Sequence, residues 1–263
     1  MELQLQGRTA FVSGSTQGIG FAIASALAAE GVRVIVNGRS SGRVDAAVAR
    51  LREAHRGVDH LGLVADFASP DEVVRLLEDL GDVDILVNNV GLFGLADFGS
   101  ISDDEWARYL DVNLMSAVRL SRHVVGGMLQ RGWGRILLIS SESGVNVPAD
   151  MVHYGVTKAA MIALGNGLAK LTRGSAVTVN TVLGGPTYSD GVAATVESIA
   201  HAQSAPVEAV KAAIIGQNAT TLLHRFIAPS EIANIVTYLA SPLASATNGA
   251  AVRADGGVLT AML

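Results

Sequence analysis

The chain has 263 residues, no cysteine, a formal net charge of −5, and 49% hydrophobic against 16% charged residues. Disulfides, thiolate metal sites and cysteine nucleophiles are thereby excluded, and without a basic face there is no footprint for nucleic acid. So apolar a chain is expected to form one α/β domain over residues 1–263.

Mean hydropathy is positive, +0.39. Gly, Asn, Asp or Arg nevertheless interrupts every apolar run before about 18 residues, so no transmembrane helix is expected. Met1–Arg8 shows no basic region followed by an apolar stretch. No signal peptide is read there, and a cytoplasmic location is expected.

The first strand is predicted at Thr9–Ser13. It runs directly into Gly14-Ser15-Thr16-Gln17-Gly18-Ile19-Gly20 and a small-residue helix from Phe21. Three glycines let the backbone turn sharply and approach an anion, which amides at the helix start then hold. A pyrophosphate cradle is the expectation for this loop. The spacing is Gly-x-x-x-Gly-x-Gly, and no Gly-Lys-Ser/Thr follows, so a P-loop nucleotidase is excluded.

The second strand, Val32–Asn37, ends in Gly38-Arg39-Ser40-Ser41. An acidic residue at that end would take a ribose 2′-hydroxyl, whereas Arg39 and Ser40 suit a 2′-phosphate. NADP(H) is therefore expected over NAD(H); the alternative is a solvent-facing Arg39 and tolerance of both. A third strand, His60–Ala65, brings Asp66 and Phe67 toward the adenine edge, unless Asp66 merely starts a turn. Ser69-Pro-Asp-Glu72 and Ser102-Asp-Asp-Glu105 read as capping boxes. Between them lies a strand at Asp84–Asn88. From Ser102 to about Gln130 the pattern is helical, and Asn113 stands inside it, where Asn is unfavourable unless its side chain has a task.

Strand Arg135–Ser140 leads to Ser141. Thirteen residues on, Tyr154 and Lys158 open an apolar helix. Positions i and i+4 share a helix face, so the ammonium is expected near the phenol, lowering a pKa that is otherwise near 10. Ser140 is the fallback for Ser141, Ser143 is a neighbour, and His153 is expected to point off the Tyr154 face. No His forms a cluster with Asp or Glu at ligand spacing, so no metal is expected. Strands at Val177–Val182 and Ala250–Ala254 complete the series. Their continuous apolar runs predict a doubly wound parallel sheet of about seven strands flanked by helices, with ligands at the carboxyl ends. Residues 184–223 break the rhythm and are expected to form a substrate-loop lid.

Gly14-x-x-x-Gly18-x-Gly20, Asn88-Asn89-Val90-Gly91, Asn113, Ser141 and Tyr154-x-x-x-Lys158, in this order, resemble the short-chain dehydrogenase/reductase family across essentially the whole chain. The resemblance implies a Rossmann-type sheet, nicotinamide chemistry and frequently a homotetramer. It assigns Tyr154 as acid/base, Lys158 as its activator and a ligand of the nicotinamide ribose, Ser141 as donor to the substrate oxygen, and Asn113 as anchor of a relay water. Asn88 and Gly91 match the segment that steadies the central sheet and borders the cofactor, and Asn89 between them is expected to bind the cofactor. Two departures concern the pocket: Pro186 is displaced by two places after the sixth strand, next to Gly185 and Thr187 at the nicotinamide end, and Val90 replaces a more usual alanine.

The expected reaction is hydride transfer between NADP(H) and a small carbonyl/alcohol pair. Phe93, Val145, Val147, Pro148, Met151, Tyr188 and Val192 are candidates for an apolar pocket, favouring a ketone or secondary alcohol. The alternatives are a 3-oxoacyl (acyl-carrier-protein) reductase, for which Arg131 and Arg173 would greet the carrier, and a non-catalytic NADP(H) sensor or scaffold. The apolar tail Asp255–Leu263 is a candidate contact with a neighbouring subunit.

Overall fold

The computed structural model describes residues 2–218 and 220–262. Met1, Ala219 of the expected lid and Leu263 of the expected tail contact lie outside the described residues. The strands β1 (Thr9–Val12), β2 (Arg33–Gly38), β3 (Leu61–Val64), β4 (Ile85–Asn88), β5 (Trp133–Ser141), β6 (Ala176–Gly184) and β7 (Ala251–Ala254) form one sheet of order β3-β2-β1-β4-β5-β6-β7. All neighbours pair in parallel. Strand order reverses between β1 and β4, which places a crevice at their carboxyl ends.

Alternation of side chains explains why the apolar runs are continuous. Ala10 and Val12 of β1 face a core with helices α1 (Gly18–Ala29), α2 (Ser41–Ala54) and α9 (Pro229–Ala240). Phe11 faces the other way, into a core with α3 (Pro70–Leu80), α5 (Ser116–Arg131) and α6 (Val152–Leu171). Both faces are covered, so both strand parities are apolar. β5 and β6 are longer than expected because they pair over their whole length, from Trp133↔Ala176 to Ser141↔Gly184. That pairing carries Ser141 onto the end of the strand.

One local expectation is met and two are corrected. Ser102 does cap α4 (Asp103–Tyr109), accepting from the Glu105 N–H. Ser69 makes no side-chain cap on α3; Glu72 instead reaches back to accept from the Asp66 N–H at 2.8 Å. The rod expected from Ser102 to Gln130 is interrupted by a π-helical turn, Leu110–Met115, between α4 and α5. Residues 184–223 contain two helices, α7 (Asp190–Gln203) and α8 (Val207–Gln217), packed through Val196, Ala200 and Val210. The tail turns partly onto its own chain, with Val258 and Leu259 buried and Met262 exposed. Among the described residues no helix is long and apolar enough to cross a membrane.

Candidate active site

The loop after β1 is held by side chains from β2 and from the residue that follows β4. Asn89 Nδ2 donates to the carbonyls of Ser13 and Gly14, each at 3.0 Å. From β2, Asn37 Oδ1 accepts from the Gly14 N–H at 3.0 Å. Gly20 sits in the tightest place: a Cβ there would collide with the Gly14 carbonyl and the Asn89 amide. The start of α1 already takes an anionic oxygen, since the Gly18 N–H donates to Asp190 Oδ2 at 2.6 Å. A glycine cradle with an amide directed at a carboxylate fits the pyrophosphate of a dinucleotide.

Beside the loop lies a cavity of about 510 Å³ lined by Gly14, Thr16, Gln17, Asn37, Gly38, Arg39, Ser40, Arg43, Ala65, Asp66, Phe67, Ala68, Asn89, Val90, Gly91, Leu92, Arg108 and Val112. Of the residues expected to hold a cofactor, Gly14, Gln17, Arg39, Ser40, Asp66, Phe67, Asn89 and Gly91 come together here. Arg39 lies 3.7 Å from Asp66, whose other oxygen accepts from the Ala68 N–H at 3.0 Å, so Asp66 does start a turn. Ser15 is turned inward, donating to the Val12 carbonyl and accepting from the Asn37 N–H. Ile19 packs on the core behind the loop. Gly185 lies against Asp255, and Thr187 donates to the Gly185 carbonyl at 2.8 Å. Neither of these two lines the cavity.

Ser141, Tyr154, Lys158 and Asn113 converge at the ends of β4 and β5. The turn after Ser141 presses on α6 so closely that a Cβ at Gly144 would stand 2.7 Å from the Lys158 carbonyl carbon. Ser140 donates to the Lys158 carbonyl at 2.8 Å, which turns it away, whereas Ser141 donates to Glu142 Oε2 at 2.6 Å and stands close enough to Tyr154 to lower its pKa. Asn113 accepts from the Leu92 N–H at 2.6 Å and donates to the Leu92 carbonyl and to Thr157 Oγ1. The π turn thus clamps the loop after β4 to α6; wide turns of this kind often mark functional positions. Gly91 faces both Lys158 Nζ and Asn113 Oδ1. His153 does leave the Tyr154 face, stacking on Tyr109 at 4.0 Å between ring centroids.

The electrostatics correct the simple reading of the Tyr-x-x-x-Lys pair. Lys158 Nζ is 5.6 Å from the Tyr154 ring centroid and donates to the Ile139 carbonyl at 2.9 Å. Burial dominates both groups. It pushes the Tyr154 phenol up to about 12, with Ser141 pulling it down and Glu142 and Tyr109 adding to the rise. It pulls Lys158 down to about 8, against the attraction of Glu142. Desolvation opposes either charge more than the pair's geometry favours it.

Sequence reasoning missed Thr16, Asn37, Arg43, Thr157 and Glu142. Arg43 was within reach of it, one turn beyond Arg39 at the opening of α2. Of the apolar pocket candidates, Tyr188 and Val192 pack in the cluster of α7 and α8, while Phe93 and Val145 are half exposed. Arg131 is engaged by Asp82 at 2.5 Å.

A Gly-lined anion cradle at the switch point of a seven-stranded parallel sheet, with a tyrosine, a lysine and a serine at the adjoining strand ends, defines a Rossmann-type oxidoreductase site. The model of the short chain dehydrogenase family matches residues 8–200. The chain is 42% identical to the uncharacterized oxidoreductase YvaG of Bacillus subtilis, over 98% of each chain. It is 33% identical to the D-beta-hydroxybutyrate dehydrogenase of Cupriavidus necator, over 96% of this chain and 98% of that one. Among solved structures, the L-sorbose reductase of Gluconobacter frateurii complexed with NADPH and L-sorbose superposes with a TM-score of 0.94 at 30% identity, covering 100% of both chains. The chain belongs to the short-chain dehydrogenase/reductase family.

Proposed function

We propose that this protein is an NADP(H)-dependent reductase of a small ketone, with Tyr154 as the proton donor. The observation that carries the reading is the convergence of Tyr154, Ser141 and Lys158 beside the Gly91 end of the dinucleotide cavity. A bound nicotinamide supplies or accepts the hydride. The cradle Gly14–Gly20 and Asn89 would hold its pyrophosphate, and Arg39, Ser40 and Arg43 a 2′-phosphate. Tyr154, held well above neutrality, keeps its proton throughout the physiological range and is ready to give it to the developing alkoxide. Ser141 steadies that oxygen as charge develops on it. Lys158 fixes the end of β5 through Ile139 and offers an ammonium toward the ribose side. Asn113 holds the loop that separates cofactor from substrate.

NADPH bound in the sorbose reductase and the basic end of β2 support NADP(H) over NAD(H). A small-molecule substrate is favoured over a carrier-bound acyl chain because Arg131 is already engaged by Asp82. In the same reading α7 and α8 form a lid, whose first turn touches Gly18 through Asp190 and Phe93 through Gly191, and the protein acts as a cytoplasmic homotetramer. The test is NADPH consumption against a ketone panel that includes a 3-oxoacyl thioester. Turnover of simple or hydroxylated ketones is expected. Thioester turnover alone would move the protein to the acyl-reductase class, and no turnover of any member would leave a sensor.

A further inference from the structure

Ser141 has one hydroxyl proton, and it is already committed. Its Oγ donates to Glu142 Oε2 at 2.6 Å and accepts from the Ser143 N–H at 3.1 Å. The other carboxyl oxygen of Glu142 accepts from Ser143 Oγ at 3.4 Å. A hydrogen bond this short to a carboxylate is charge-assisted and about twice as strong as one between neutral groups. An ionised Glu142 therefore holds the very proton that a carbonyl oxygen would need from Ser141. A neutral carboxyl reverses the direction: its O–H donates to Ser141 Oγ, and the serine proton is released toward Tyr154 and the reacting oxygen.

We propose that Glu142 is a positioning residue whose protonation state sets which way Ser141 points its hydrogen bond: toward the substrate oxygen when the carboxyl is neutral, away from it when the carboxylate is charged. The inference rests on the reductase reading of the site. It makes the neutral acid the form suited to carbonyl reduction.

The surroundings favour a titration nearer neutrality than an ordinary carboxylate. Burial raises the Glu142 pKa, while hydrogen bonds from Ser141, from the Glu142 and Ser143 backbones and from the Ser143 hydroxyl oppose the rise. From α6 the facing groups are Tyr154, pushed up by the Glu142 charge, and Lys158, drawn up by it. Tyr109 of α4 faces Tyr154 rather than Glu142. Lys158 titrates at about 8, so a pH profile contains two limbs that must be separated.

Glu142→Gln separates them, since its amide N–H donates to Ser141 Oγ at every pH as the neutral acid does. In the wild type, reductive kcat/KM is expected to fall by up to about a hundred-fold as Glu142 ionises, the lower end of the cost of losing one oxyanion donor. In Glu142→Gln that limb disappears and the Lys158 limb remains. A Gln variant with the wild-type profile overturns the proposal. The second readout needs no turnover: isotope-edited infrared spectroscopy of the side-chain carboxyls in wild type and Ser141→Ala. Removing the Ser141 donor is expected to move one carboxyl titration upward. An unmoved titration overturns the proposal as well. Absence of NADPH consumption with every ketone would sink the oxidoreductase reading, and the infrared result would still decide the Ser141–Glu142 linkage.

Discussion

Replacing Lys158 with methionine should give a protein that is at least as stable as the wild type and barely active. Lys158 is buried, its ammonium donates to the Ile139 carbonyl at 2.9 Å, and burial lowers its pKa from 10.5 to about 8. At about 1.4 kcal/mol for each pKa unit, keeping the ammonium charged in the folded state costs roughly 3 kcal/mol below the folded pKa. Methionine has similar length and no charge, but it leaves the Ile139 carbonyl without its donor, a loss of about 1–3 kcal/mol. The balance at neutral pH is a gain of roughly 0–2 kcal/mol, or a melting temperature higher by up to about 8 °C.

The pH dependence is the sharper signature. Between about 8 and 10.5 the unfolded chain binds a proton at this position that the folded chain does not, so wild-type stability rises with pH across that window. Above 10 the opposite holds for Tyr154, which stays protonated when folded up to about 12, and stability falls. Urea unfolding at a series of pH values should show the rise in the wild type and its absence in Lys158→Met. A methionine variant several degrees less stable at neutral pH, or one that keeps the rise, would refute the reasoning that burial governs this lysine.

Gly20→Ala should open the phosphate loop, because the added methyl meets the backbone of Gly14 and Ser15 as well as Asn89. A stability loss of about 1–3 kcal/mol by urea unfolding and a drop of at least about ten-fold in NADPH affinity are expected; unchanged affinity would show that the cradle does not hold the pyrophosphate. Arg39→Asp should weaken NADPH by about ten-fold or more while changing NADH little, and equal losses in fluorescence titrations would remove Arg39 from phosphate recognition. Asp190→Asn, which relieves the carboxylate on the Gly18 amide, should tighten NADPH by about two- to five-fold. Weaker binding instead would mean that Asp190 supports the cofactor rather than competes with it.

The five inner strands were legible because each is buried on both faces, and a run such as Ile85–Asn88 leaves little other choice; the half-exposed edge strands β3 and β7 were legible from their place in the alternating series. The glycine loop and the Ser141, Tyr154 and Lys158 set were legible because their chemistry fixes both residue type and spacing. Other features left no such trace. A π turn at Leu110–Met115 has the same composition as an α turn, so the clamp formed by Asn113 on Leu92 was invisible beyond the oddity of an Asn in a helix. The helices α7 and α8 are made of small residues with weak periodicity, and they declare themselves only by packing on one another. The Tyr154–Lys158 spacing gave proximity but not depth, and depth reverses the expected acidification. Glu142 follows Ser141 in the chain, yet only the folded turn shows the carboxylate accepting the Ser141 hydrogen bond.

Single-turnover oxidation of NADPH by a ketone, compared between wild type and Tyr154→Phe, tests the proton donor most directly. Removing that hydroxyl should slow hydride transfer by at least about a hundred-fold, with NADPH affinity within about two-fold of the wild type. A phenylalanine variant that reduces the ketone within ten-fold of the wild-type rate would contradict the assignment of Tyr154.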